Sequence, residues 1–475
     1  MGFIKLPRIM IAGLGGDSGK TFVSCGLLRY FMDKGLEVSG FKKGPDYIDS
    51  AWLKLASKKE VRNLDTYLIP KNEIIKSFIK NGTACDISII EGNRGLFDGY
   101  DSKGSHSTAE LAKLLGCPVV LVLTVKKITR TSAALVLGCK LMDKDLNIAG
   151  VIINQLAGKR HESIIRETIE DITGIPVIGA IPKLNSEVMP SRHLGLITPD
   201  EYELAENAIK ISAKAINDYV DTEKLLNIAK DSSLIQDYKN ESDEKNSSLT
   251  ISQRKNKIRI GYFCDRIFSF YYPENLESLA DLGVELIKIS SYNDKILPEI
   301  DALYIGGGFP ESNIELLTSN KELMMSLKSA VESGLPVYAE CGGLIYLGES
   351  INIDGKNHQL SGILPIKFMM SKKPMGHGYS EAIVDNDNPF FSNGTVMRSH
   401  EFHYSFIDES APYVKTCLKV QRGVGAIDKR DGIIYKNVFG TYLHIHALGF
   451  RQWAEAMLNQ ANKYRVELCR HKKMQ

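Results

Sequence analysis

The chain has 475 residues, room for two or three cores rather than one. Hydrophobic residues are 43% and charged residues 24%, the balance of a soluble globular protein, which excludes a wholly disordered, collagen-like or coiled-coil chain. Lysine plus arginine number 59 against 57 for aspartate plus glutamate, a formal net charge of +2, so nothing in the overall field favours nucleic acid or an acidic membrane and any basic site must be local.

In chain order, Arg8–Ala12, Val38–Lys42, Ile87–Glu91, Val119–Val125 and Val151–Asn154 are short apolar runs separated by helical stretches. That alternation predicts βαβ units and a mostly parallel sheet. From Asp218 to Lys257 the rhythm fades, and DSSLIQDYKNESDEKNSSLTISQRKNK, rich in Ser, Asn, Lys and Glu, reads as a linker, partly helical at its start. The alternation resumes with Ile258–Phe263, Val284–Ile289, Ala302–Ile305 and Val337–Glu340 and ends in a helical tail around Gly449–Ala461. The expected plan is an α/β domain over 1–217, a linker over 218–257 and a second α/β domain over 258–475. The eight cysteines show neither CxxC pairing nor the density of a disulfide scaffold, as suits thiols in a reducing cytosol. No run of eighteen apolar residues occurs, and MGFIKLPRIMIAGLGG enters a glycine loop too soon for a secretory leader, so a cytoplasmic location is expected.

Ala12-Gly13-Leu14-Gly15-Gly16-Asp17-Ser18-Gly19-Lys20-Thr21 follows a predicted strand and opens a helix. In that place backbone amides and the helix start can hold phosphate oxygens, Lys20 adds a point charge, and the Thr21 hydroxyl can face Mg²⁺. The phosphate-loop pattern is deviant, because Leu14 occupies the place of the first glycine and Gly13 fits only with one extra residue. Two acidic clusters end later strands: FKKGPDYID with Asp46 and Asp49, and EGNRGLFDG with Glu91 and Asp98. Ligands bind at the carboxyl edge of open α/β sheets, and Mg²⁺ takes hard oxygens shared with phosphate.

In the second half, AECGGL puts Cys341 between an apolar strand and a helix, where a tight turn exposes the thiol and the helix start lowers its pKa. His444 and His446 in TYLHIHA fall on one side of an extended strand and offer a base, and Gly307 and Gly308 in YIGGGFPE can give oxyanion amides. The set also admits zinc or a cysteine protease, but no CxxC or HxxxH spacing favours structural zinc.

The runs GGDSGKT, FKKGPDYID, RNLDTYL, EGNRGLFDG, STAELAKLLGCPVVLVL, FSFYYPENL, LYIGGGFPE, AECGGLIYLGE, HEFHYS and TYLHIHA together resemble the cobyrinic acid a,c-diamide synthase family, over nearly the whole chain. The resemblance implies a dethiobiotin-synthetase-like phosphate-loop ATPase domain followed by a class I, flavodoxin-like glutamine amidotransferase domain. It implies a carbon–nitrogen ligase with ATP, glutamine and a small tetrapyrrole as substrates and Mg²⁺ as cofactor, no nucleic acid or membrane partner, and room for a homodimer. Cys341 would be the glutaminase nucleophile and His444 its base, with Gly307 or Gly308 at the oxyanion. The related triad has Glu two residues after the histidine; His446 stands there, which suggests a dyad. Gly15, Gly16, Asp17, Ser18, Gly19, Lys20 and Thr21 would bind ATP, Thr21, Asp46 and Glu91 the metal, and Asp49, Asp98 and Arg94 the acceptor.

Arg94 stands where an apolar residue is commoner in that family, and Lys42-Lys43 adds a charge. Related enzymes amidate the same acetates on sirohydrochlorin, its nickel complex or sirohaem, which are richer in carboxylates; an extra guanidinium suits an extra carboxylate, or either basic residue pairs with a nearby acid. A partition-type or Min-type ATPase switch shares a deviant phosphate loop, but it needs a lysine at Gly15 and leaves Cys341, His444 and the second domain unexplained.

Overall fold

The apolar runs of the first half become the central strands of one sheet. The computed structural model describes residues 2–184, 188–192, 195–237, 257–410 and 414–474, and the chain divides into two units, Met1–Ser248 and Leu249–Gln475. In the first unit the strands include β1 (Gly2–Ile4), β2 (Arg8–Gly13), β3 (Val38–Lys43), β4 (Arg62–Leu64), β5 (Ile87–Glu91), β6 (Val119–Thr124), β7 (Ile148–Leu156) and β8 (Val177–Pro182). Seven of them form a sheet in the order β4-β3-β5-β2-β6-β7-β8, with every pairing parallel. Parallel strands are covered on both faces, so β2, β3 and β5 are buried along their whole length. This is why they read as unbroken apolar runs rather than alternations.

Helix α1 (Lys20–Asp33) follows β2, and α2 (Tyr47–Ser57) follows β3. The register sets Lys42 of β3 and Ile11 of β2 on either side of Glu91. The carboxyl ends of β3, β5 and β2 therefore meet at one edge, with the starts of both helices beside it. Gly26 lets α1 approach the helix Ala205–Tyr219: a Cβ there would stand 2.7 Å from the Ser212 carbonyl.

The first part of the expected linker carries its expected helical start. Residues 222–230 form a helix capped by Asp221, whose side chain accepts from the Lys224 amide, and Ile235–Asp237 pairs antiparallel with β1. The Arg8 guanidinium, buried in the sheet, donates to the Ser233 carbonyl at 2.6 Å and the Ser232 hydroxyl at 3.1 Å. A serine-rich composition hid this closing segment because its anchoring comes from Arg8, more than two hundred residues away in sequence. The rest of the expected linker, 238–256, lies outside the described residues.

The second unit holds a nine-stranded mixed sheet. Glu285–Ile289, Arg259–Phe263, Ala302–Ile305, Val337–Glu340 and Val438–Thr441 lie parallel in that order. Arg430–Tyr435, Lys415–Arg422, Gly376–Val384 and Val396–His403 extend it antiparallel. Side-chain alternation divides the core: Leu303, Ile305, Val337 and Ala339 pack on one face, and Ala302, Tyr304, Tyr338 and Phe439 on the other. The expected tail helix runs from Gln452 to Met474. Among the described residues no helix is long and apolar enough to cross a membrane.

Candidate active site

The phosphate loop is built by contacts that glycine permits. Gly19 caps α1 in the left-handed region at φ 88°, and a Cβ there would lie 2.3 Å from Asn154 Nδ2. Asn154 Nδ2 and Thr124 Oγ1 donate to the Ser18 carbonyl at 3.1 and 3.2 Å, tying the loop to β7 and β6. At Gly13 a Cβ would meet Ser18 Oγ at 2.2 Å, whereas at Gly15 and Gly16 it would meet nothing within 4 Å. Those two glycines border open space, and the start of α1 carries no side-chain cap. Lys20 Nζ donates to the Gly15 carbonyl at 2.8 Å, and burial together with Lys42 lowers its pKa. Asp17 adopts a left-handed φ of 52°.

Beside the loop is a buried charge cluster. Lys42 Nζ lies 2.5 Å from Asp49 and 2.8 Å from Glu91 Oε1, and also donates to the Gly92 carbonyl at 3.1 Å. The Thr21 hydroxyl donates to the same Glu91 oxygen at 2.8 Å. Burial works against the Lys42 ammonium, but Asp49 and Glu91 outweigh it and raise its pKa. Burial raises Glu91 to about 7 even against the pull of Lys42, while at Asp49 the attraction of Lys42 overcomes burial and lowers the pKa. Asp46 caps α2, accepting from the Asp49 amide at 2.9 Å, and burial and then Asp49 push it to about 6.

The structure thus brings Thr21, Asp49 and Glu91 together, and gives Asp46 the task of capping α2. Of the two readings of the added charge at Lys42, pairing with acids is the one the structure bears out: its ammonium is wholly buried between two carboxylates. Its signal was its register opposite Glu91, visible only once β3 and β5 are paired. Asp98 and Arg94 are exposed in the loop after β5: Asp98 accepts from the Gly95 amide at 2.9 Å, and Arg94 has a φ of 50°. That loop leans on the phosphate loop, since the Leu96 amide donates to the Gly13 carbonyl at 2.7 Å. Among the described residues no three His, Cys, Asp or Glu side chains gather as a metal cage. Mg²⁺ needs none, because it is held by one or two carboxylates with phosphates and water. Glu91 Oε2 is buried with no hydrogen-bond partner among the described residues, the kind of oxygen a hard cation satisfies.

In the second unit, Cys341 turns sharply from strand into the helix Gly342–Leu347 with φ 47° and ψ −99°. Its amide donates to the Thr441 carbonyl at 2.7 Å, which fixes the turn beside the strand leading to His444. A Cβ on Gly342 would lie 3.1 Å from the Gly308 nitrogen, and one on Gly307 would lie 2.5 Å from His444 Cε1. Gly342, which follows Cys341, and the ring of His444 therefore border the same glycine turn. A lowered thiol pKa was expected, but burial and then Glu311 push the Cys341 thiol up. The six-residue helix is too short to overcome desolvation, so the thiol needs a base to ionise. His444 Nδ1 lies 3.3 Å from Glu340 Oε2, a contact not anticipated from sequence. His446 is buried against Tyr272, with ring centroids 4.6 Å apart, and its Nε2 lies 3.7 Å from Glu274.

Comparison with known proteins covers both units. Residues 9–196 match the CobQ/CobB/MinD/ParA nucleotide binding domain and residues 259–452 the CobB/CobQ-like glutamine amidotransferase domain. A cobyrinate a,c-diamide synthase of Magnetococcus marinus is 39% identical over 95% of this chain and 96% of its own. Those of Archaeoglobus fulgidus and Methanosarcina acetivorans are 38% and 36% identical, each over 97% of this chain and over 98% and 97% of their own. With a nucleotide-binding unit and a glutamine amidotransferase unit in one chain, and relatives matched along nearly its full length, the protein is a glutamine-dependent ligase that belongs to the cobyrinate a,c-diamide synthase family.

Proposed function

We propose that the protein amidates the a and c acetate carboxylates of cobyrinic acid, with nitrogen from glutamine and drive from ATP, in the cytoplasm. The observation that carries this reading is that one chain holds both a buried Lys42–Asp49–Glu91–Thr21 cluster beside a phosphate loop and a strained Cys341 turn sharing its glycines with His444. The first suits phosphoryl transfer to a carboxylate, the second release of ammonia from an amide.

A carboxylate is a poor acyl acceptor until one oxygen becomes a leaving group. An acetate oxygen attacks the γ-phosphorus of ATP held by Gly15–Thr21, giving an acyl phosphate and ADP; ammonia then attacks the acyl carbon and phosphate leaves. Lys20 faces the charge on the transferred group. Thr21 and Glu91 would hold Mg²⁺, which supplies neutralisation of the phosphate charge when bound, while Asp46 keeps α2 and with it Asp49 in place. Arg94 and Asp98 belong to the acceptor side. In the other unit the Cys341 sulfur attacks the glutamine carboxamide, His444 takes the thiol proton and returns it to departing ammonia, the amides of Gly307 and Gly308 face the oxyanion, and water releases glutamate.

The test is mass spectrometry of products from cobyrinic acid, sirohydrochlorin, its nickel complex and sirohaem with ATP, Mg²⁺ and glutamine. Two replacements of OH by NH₂ on cobyrinic acid are expected; two on another macrocycle alone would move the enzyme to that substrate. Cys341→Ala is expected to lose synthesis from glutamine and to keep it with concentrated ammonia, because only the nitrogen source is removed.

A further inference from the structure

Glu340 directly precedes the nucleophile and is fully buried. Alternation along Val337–Glu340 sets it on the Tyr338 face of the sheet. There Oε2 meets His444 Nδ1 at 3.3 Å and the Tyr304 hydroxyl at 3.2 Å, and Oε1 accepts from the Ile445 amide at 3.4 Å. Asn275 braces the same group, donating to Tyr304 Oη at 3.3 Å and to the Ile445 carbonyl at 3.1 Å. A buried carboxylate is costly unless partnered, and its partners here come from separate elements that converge on it.

The opposite edge of the imidazole is equally defined. A Cβ on Gly307 would lie 2.5 Å from His444 Cε1 and 3.4 Å from Nε2, and the His400 ring stacks on His444 at 4.9 Å and 20°. Nδ1 therefore faces a carboxylate while the Cε1–Nε2 edge faces the glycine turn that borders Cys341. His446 cannot supply this carboxylate. A glutamate in its place would face Glu274, so the position two residues after His444 is closed to a second acid by like charge.

We propose that Glu340 is the positioning residue of the thiol site, holding His444 with hydrogen on Nδ1 and Nε2 open to Cys341, so that the strand carrying the nucleophile also carries the carboxylate of the triad. The inference rests on the glutaminase reading of Cys341 and His444. As the sulfur–carbon bond forms, Nε2 takes the thiol proton and the imidazolium is stabilised by Glu340; when the carbon–nitrogen bond breaks, the proton passes to departing ammonia. Among the described residues, Tyr271, Tyr304, Tyr338 and Cys341 face Glu340, His400 faces His444, and Asp431 acts on Cys341 and Tyr338. Burial raises the three phenols and lowers His400, so these four stay neutral near neutral pH. His446 and His377 lie beyond His400, and Glu311 faces Cys341.

The test is Glu340→Gln in the full chain, read by glutamate release from glutamine and by iodoacetamide alkylation of Cys341, each across pH. Glutamate release is expected to fall about 10²-fold or more. The acid limb of kcat/KM for glutamine, where protonation of the base ends activity, should move down by about one pH unit or more, because the imidazolium loses its carboxylate. The alkylation profile should shift with it, while ammonia-supported synthesis persists. Glu274→Gln should leave the acid limb in place. A merely structural Glu340 would lower the melting temperature without moving either profile, and profiles that overlay those of the unsubstituted protein overturn the proposal. If the Gln variant fails to fold, Glu340→Asp decides: a carboxylate one methylene short should cost at least about tenfold in glutamate release, and unchanged release overturns the assignment. Glutamate release that survives Cys341→Ala would sink the glutaminase reading itself; a dead Cys341→Ala with unmoved Glu340→Gln profiles sinks this inference alone.

Discussion

Removing Lys42 would leave Asp49 and Glu91 facing each other with no cation between them. Breaking a buried pair from one side is costly, so Lys42→Met is expected to destabilise the first unit by about 3–5 kcal/mol. Denaturant unfolding measures this, and synthesis with ammonia in place of glutamine should fail in the same variant. Glu91 gives a pH signature. Burial holds its carboxyl at about 7, so below that pH it is protonated, whereas a bound cation requires the carboxylate. Mg-nucleotide affinity should therefore weaken as pH falls, by roughly tenfold per pH unit below the transition. Calorimetric titration of the protein and of Glu91→Gln separates the cases: the variant should bind weakly and without this pH dependence.

At the scale of single elements, glycines that look alike in sequence differ in what surrounds them. Gly15 lies in the phosphate loop with open space where a Cβ would point, while a Cβ on Gly308 would come within 1.8 Å of the Ile267 carbonyl oxygen. Gly15→Ala should leave unfolding within about 0.5 kcal/mol of the unsubstituted protein. It should nevertheless weaken ATP binding, because the added methyl occupies the space proposed for phosphate. Gly308→Ala has no such freedom: the clash is with backbone, and a loss of about 3 kcal/mol together with glutamate release is expected. Thermal unfolding of the two variants side by side tests the contrast. The antiparallel strands of the second sheet show why some elements were illegible. Gly376–Val384 and Val396–His403 mix polar and apolar residues without a long clean alternation, and the pairing of Gly376–Val384 with Lys415–Arg422 shifts register between Glu381 and Ala382, so no local run announces them.

For the whole molecule, each unit has its own sheet and its own buried residues. Calorimetry of the full chain should show two unfolding transitions, and Mg-nucleotide at a hundredfold excess over its Kd should stabilise one of them by about 2.7 kcal/mol. A single transition shifted as a whole would mean that the units unfold as one. The sequence by itself determined the parallel strand runs, the glycine loop before α1, the turn at Cys341 and the two-part plan, because buried strands, glycine turns and helix starts are encoded by neighbours in the chain. Only the tertiary structure decided that Lys42 sits between Asp49 and Glu91, that Arg8 anchors the segment around Ser233, and that Glu340 rather than residue 446 faces His444. Those choices depend on strand register and burial, which set charges beside one another across tens to hundreds of residues and which no local pattern records.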